Sequence, residues 1–155
     1  MASPSSKPES NAEAEVQEDL MRLDAYRNQL NAMLQQFQIL SASRTEHARA
    51  RESLEGVERA EPSTEMLLPL GGEAYVRGSI SRDQPVLIGM GSGVVVEMDR
   101  SKVAELLAQR LVRIDQALRE TEGQMGALDE RIQMLSRRLD DLARSGPAGP
   151  NVGGN

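Results

Sequence analysis

From Ala104 onward, apolar residues recur on alternating steps of three and four for more than five heptads: Ala104, Leu107, Leu111, Ile114, Leu118, Thr121, Met125, Leu128, Ile132, Leu135, Leu139 and Leu142. Eleven of these twelve positions are apolar, Thr121 being the exception. A stripe this narrow and this long does not fill a globular core. On a helix it makes one seam, and the seam must be covered by a partner helix. Val16, Leu20, Leu23, Tyr26, Leu30, Met33, Phe37 and Leu40 repeat the idea less regularly near the start of the chain. The two halves of a helical pair are therefore both present in one polypeptide.

The boundaries follow from helix punctuation. Residues 1–10 are rich in Ser, Pro, Lys and Glu and are expected to be disordered. Ser10 and Glu13 have the spacing of a capping box, which predicts a first helix over 11–60. Glu61-Pro62-Ser63-Thr64 ends it. A second helix is predicted over 100–143, capped by Asp99 or Ser101 and stopped by Ser145-Gly146-Pro147. The tail, 144–155, is Gly/Pro/Asn-rich and expected to be disordered.

Between the helices the pattern changes to short, β-branched, Gly-punctuated runs, predicting two hairpins over 65–98. Gly71-Gly72 offers the first tight turn, and Gly91-Ser92-Gly93 lies in the second. Pro69 has no N–H for a ladder, which places it at an edge or a bulge. The predicted fold is thus α+β: a long antiparallel two-helix coiled coil joined by two β-hairpins. Helices of this length would each span roughly 65–70 Å. Folding about the centre sets Leu20 near Leu142, Leu30 near Ile132 and Phe37 near Met125. The heptad columns of the first helix run into Arg44, His47 and Arg51, so the seam is expected to shift there, onto Ala48, Ala50 and Val57.

Composition narrows the functional classes. Only 2% of residues are aromatic and 39% are hydrophobic, below the roughly 45–50% of globular chains, as suits a rod that buries only a stripe. Net charge is −6 and no basic block stands out, which disfavours nucleic acid and anionic membrane as partners. No apolar run approaches the roughly 20 residues of a membrane span, and the first residues lack a signal-peptide core. A soluble, cytoplasmic protein is expected. With no Cys and a single His, His47, there is no metal-ligand cluster. Gly89-x-Gly91-x-Gly93 lies between strands rather than opening a helix, so it reads as a hairpin turn and not a phosphate loop. No nucleophile, acid–base pair or cofactor site emerges, and the chain is not expected to be an enzyme.

Two candidate interaction surfaces remain. Where both helices run out, Leu20, Met21 and Leu23 face Leu135, Leu139 and Leu142, and fraying helix ends expose apolar side chains. The β block carries Leu68, Leu70, Tyr75, Val86, Ile88, Val94, Val95 and Val96 on strands with open edges. Such strands aggregate unless covered, so oligomerisation through this block is expected.

The block Met66-Leu67-Leu68-Pro69-Leu70-Gly71-Gly72, then Ala74-Tyr75-Val76, then Val86-Leu87-Ile88-Gly89-Met90-Gly91-Ser92-Gly93-Val94-Val95-Val96-Glu97, resembles the alpha class of archaeal prefoldin subunits. Four strands between two helices fit that class, whereas the beta class has one hairpin. The resemblance covers about residues 12–143. It implies a heterohexamer of two alpha and four beta subunits in which the hairpins assemble into an oligomeric double β-barrel. It further implies that the coiled-coil tips bind non-native client polypeptides without ATP and deliver them to a group II chaperonin. The rival reading is an adaptor coiled coil that oligomerises through its β block and holds one folded partner.

Overall fold

A computed structural model describes residues 7–62, 64–81 and 83–145, with side chains from residue 12 onward. The element order is α1 (Lys7–Arg59), β1 (Thr64–Gly71), β2 (Ala74–Ile80), β3 (Val86–Gly91), β4 (Val94–Met98) and α2 (Arg100–Ser145). The expected pairing of two long helices with two hairpins is therefore observed. The ends of the chain expected to be disordered fall largely in 1–6 and 146–155, outside the described residues.

The helix starts differ from expectation in an instructive way. α1 begins at Lys7 and passes through Ser10, so Ser10 does not end the helix. Its side chain lies outside the described residues. Pro8 in the first turn is compatible with this, because the amides of that turn have no intrahelical acceptor to lose. For α2 the residue before the helix is Asp99, not Ser101, and the Asp99 carbonyl accepts a hydrogen bond from the Val103 N–H at 3.0 Å. α2 extends two residues beyond its expected end, to Ser145.

The described residues fall into two compact units: those up to Gln38 with those from Arg119, and Ile39–Leu118. In the first unit the N-terminal part of α1 pairs antiparallel with the C-terminal part of α2. Val16, Tyr26, Leu30, Met33 and Phe37 are half-buried and Leu23 is buried. Opposite them Thr121 and Leu128 are buried, and Met125, Ile132, Leu135 and Leu139 half-buried. Arg138 reaches Glu15 at 3.7 Å and Asp19 at 3.2 Å. Arg138, rather than Leu142, thus lies across from this end of α1, so the register is offset from the one that sets Leu20 near Leu142 by roughly one to one and a half turns.

Within this seam one expectation fails. Asp19 is buried and Leu20 is 43% exposed, so the seam runs Val16, Asp19, Leu23, Tyr26. That order keeps the strict alternation of three and four that a seam through Leu20 breaks. A carboxylate occupies the inward position because Arg138 meets it there.

The second unit holds the β block. Leu54 of α1, Ile88 of β3, and Val103 and Leu107 of α2 form its core, with Val86, Met98, Ala104 and Leu106 packed around it. The column Leu40, His47, Leu54 continues inward without changing phase, and Ala48 and Val57 are half-buried beside it. The expected shift of the seam is thus partial: Ala50 is exposed, and Arg44 and Arg51 turn outward to pair with Asp115 and Glu55. The His47 ring is accommodated locally, its Nδ1 lying 2.8 Å from the Ser43 carbonyl oxygen, to which it donates in the Nδ1–H tautomer.

Each hairpin is its own two-stranded antiparallel sheet. Both use one device at the turn. Gly71 and Gly91 have φ of 98° and 99°, a left-handed backbone that favours glycine, and the ladder register shifts just before each. The two turn residues that follow, Gly72-Glu73 and Ser92-Gly93, also have positive φ, as a hairpin turn matched to strand twist requires. The first turn is thus one residue later than Gly71-Gly72. Pro69 sits beside the bulge, where its missing N–H is tolerated.

The Leu54 core makes a testable demand. Leu54→Ala is expected to destabilise the second unit by about 2–5 kcal/mol, because Leu54 is buried among aliphatic neighbours that cannot all close the gap. Thermal melting by circular dichroism should show a clear fall in midpoint, and an unchanged melt would contradict this core.

Candidate interaction surfaces

The β strands alternate two apolar faces, and the two have different neighbours. In the second hairpin Val86 pairs with Met98 and Ile88 with Val96. These four point toward the helices: Ile88 is 8% exposed and the other three are half-buried. Leu87, opposite Glu97, and Val95, opposite Gly89, point away and are 69% and 61% exposed. Arg110 on α2 fastens this hairpin by donating to the Gly89 carbonyl at 2.7 Å.

The first hairpin is held more lightly. Met66 pairs with Gly78 and Leu68 with Val76, and of these only Met66 and Gly78 are half-buried. The Leu68 side chain lies over Gly78, so close that a Cβ there would meet it at 2.7 Å. Leu67, Leu70 and Tyr75 are exposed. Arg100 of α2 donates to the Ser81 carbonyl at the end of β2. Between this hairpin, β3 and the helices runs an apolar groove of about 820 Å³, lined among others by Leu54, Val57, Met66, Ile80, Val86 and Val103.

Of the eight residues expected to mediate oligomerisation, the structure separates two groups. Ile88 belongs to the chain's own core, Val86 packs against it, and Val96, cross-strand from Ile88, is half-buried. Leu68, Leu70, Tyr75, Val94 and Val95 are exposed. Leu67, Leu87 and Met90, exposed and apolar, belong with the second group and were not picked out from sequence. The signal for them is the length of the unbroken apolar runs, since a strand that is apolar on consecutive positions has two faces to bury.

At the end of the terminal helix pair, Leu23 is buried, Leu135 and Leu139 half-buried, and Leu20, Met21 and Leu142 exposed. Met134 joins the exposed set at 59%. The surface expected there thus has an outer part that is already accessible and an inner part that packs in the seam. Asp19 and Arg138 lie at the boundary between the two.

Among the described residues no group of three or more His, Cys, Asp or Glu is placed to hold a metal ion. No helix among them is long and apolar enough to cross a membrane.

Two long helices flanking a pair of β-hairpins, with an apolar strand face left uncovered, define a helical-hairpin fold. Residues 26–145 match the prefoldin subunit family, and the chain belongs to that family. It is 27% identical over 115 residues to prefoldin subunit alpha of Pyrococcus horikoshii, covering 74% of this chain and 78% of that one. With prefoldin subunit alpha of Methanoculleus marisnigri it shares 29% identity over 130 residues, 84% of this chain and 87% of the relative. Two solved structures share the fold. A filamentous PFD from Methanocaldococcus jannaschii, determined by cryo-EM, superposes with a TM-score of 0.64 at 16% identity, over 79% of this chain and 98% of that one. The crystal structure of the prefoldin beta subunit from Thermococcus strain KS-1 gives 0.56 at 20% identity, over 86% and 95%.

Proposed function

We propose that this chain is the alpha-class subunit of a cytoplasmic, ATP-independent holdase, with no enzymatic activity of its own. Two copies assemble with four beta-class subunits through the outward faces of their hairpins, which close into a shared β-barrel. The helix ends project from it, hold non-native polypeptides, and pass them to a group II chaperonin. The observation that supports this most directly is the pair of uncovered apolar surfaces at different places on one chain. The strand face around Leu87 and Val95 is apolar and carried on backbone held in a ladder, which suits a permanent strand partner. Leu20, Met21 and Met134 are unbranched or flexible and sit on helix ends, which suits variable partners.

Each tip would bind weakly. A leucine gives roughly 1.5–3 kcal/mol in full transfer from water, and a half-covered one only part of that. Several tips acting on one client convert weak contacts into retention without locking it. The test is to assemble the chain with a beta-class prefoldin subunit and follow light scattering of several unrelated denatured proteins without nucleotide. Suppression of all of them is expected. Protection confined to one folded partner would favour the adaptor reading instead.

A further inference from the structure

Asp19 is the one buried carboxylate in the terminal helix pair among the described residues, at 3% exposure, and it stands where the seam calls for an apolar side chain. Its neighbours along the seam are Val16 and Leu23. Across the helix pair, Arg138 Nε lies 3.2 Å from Asp19 Oδ2, without the alignment of a hydrogen bond. Along α1, Arg22 approaches Asp19 Oδ1 at only 3.9 Å. The carboxylate has therefore given up its water for partial compensation. A buried carboxylate with so little compensation holds two helices together less well than an apolar side chain of similar size at the same seam position often does.

Arg138 has a second partner. Its Nη2 lies 3.7 Å from Glu15, whose side chain is 60% exposed, and Arg138 itself is 54% exposed. Glu15 is on α1 as well, so both cross-helix pairs are lost when the helices separate. Arg138 and Glu15 already stand largely in water and lose little, while Asp19 regains its hydration. Separation at this layer uncovers Leu23 and Leu139, which adjoin the already exposed Leu20 and Met21.

We infer that Asp19 and Arg138 form a latch that keeps the end of the helix pair easy to open, so that seam leucines can be lent to a client. Asp19 is a positioning residue here and need not touch the client. The inference rests on the tip-binding reading above, and the test separates the two. Amide hydrogen exchange is measured across residues 16–27 and 131–142 of the full chain in its assembly, alongside suppression of aggregation of a denatured protein. In the double variant Asp19→Leu/Arg138→Met the layer becomes apolar, and exchange in both segments should slow by at least about tenfold while client protection falls. Arg138→Met alone leaves Asp19 buried without its cross-helix partner, so exchange should quicken and protection should be kept or increased. Unchanged or faster exchange in the double variant overturns the latch. Slower exchange with undiminished protection overturns its role in holding clients, provided that a chain trimmed to residues 24–135 does lose protection. If the trimmed chain protects fully, it is the tip-binding reading that fails, while the exchange rates still decide whether the latch exists.

Discussion

Val95→Asp is expected to abolish assembly while leaving the helices formed. Val95 is 61% exposed in the single chain and sits on the face of the second hairpin opposite to Ile88. A carboxylate there meets water before assembly and little else, so the subunit itself should fold. Once strands from other subunits cover the face, the same carboxylate is stripped of water with no cation on the strand beside it, since its cross-strand partner is Gly89. Burying an unpaired charge costs several kcal/mol, and the apolar contribution of Val95 is lost as well. Sizing with light scattering should show a collapse in mass, and far-ultraviolet circular dichroism should show retained helix. Ile88→Asp is the informative contrast. Ile88 is 8% exposed against Leu54, Val103 and Leu107, so charge at that position should unfold the second unit before assembly is tested. An assembled Val95→Asp complex of normal mass would mean that this face is not the subunit contact.

Removing the helix ends is expected to separate holding from assembly. A chain trimmed to residues 24–135 loses Leu20, Met21, Leu23, Leu139 and Leu142 but keeps the β block and most of both seams. Buried Leu128 and Thr121 and half-buried Phe37 remain to hold the shortened helix pair. The oligomer should persist, while protection of a denatured client should fall severalfold or more, because weak sites that act together fail together. Full protection by the trimmed complex would move client binding elsewhere, to the inner faces of the helices or the β block.

Much of this architecture was legible in the residues, because period is a strong signal when it lasts. The α2 stripe from Ala104 to Leu142 specified a helix, its inward face and its need for a partner. What escaped was set by chemistry that overrides hydropathy. At residues 19 and 20 an apolar pattern selects Leu20, yet the register and Arg138 place Asp19 inside. Around Arg44 and Arg51 the polar side chains suggested that the whole seam moves, whereas only one of its two columns turns outward while His47 and Leu54 hold the other. In β3, Val86-Leu87-Ile88 is apolar at every position, so alternation could not say which residues face the chain's own helices. The core made by Leu54, Val103 and Leu107 decides that, and it brings together residues from both helices.

The unequal anchoring of the two hairpins has a consequence for how such a subunit behaves when it is alone. The second hairpin is held by Ile88 in the core and by Arg110 on its backbone, while the first has no fully buried side chain among its described residues. An isolated pair of strands is barely stable in water. If partner subunits bind at this hairpin, as proposed, its order is governed by mass action: stabilisation grows with the logarithm of free partner concentration over the dissociation constant. A copy made in excess of its partners would fray at β1 and β2 first, presenting Leu67, Leu68 and Leu70 to whatever surveys the cell for misfolded chains. On that reading, supply of the subunit would be tied to supply of its partners.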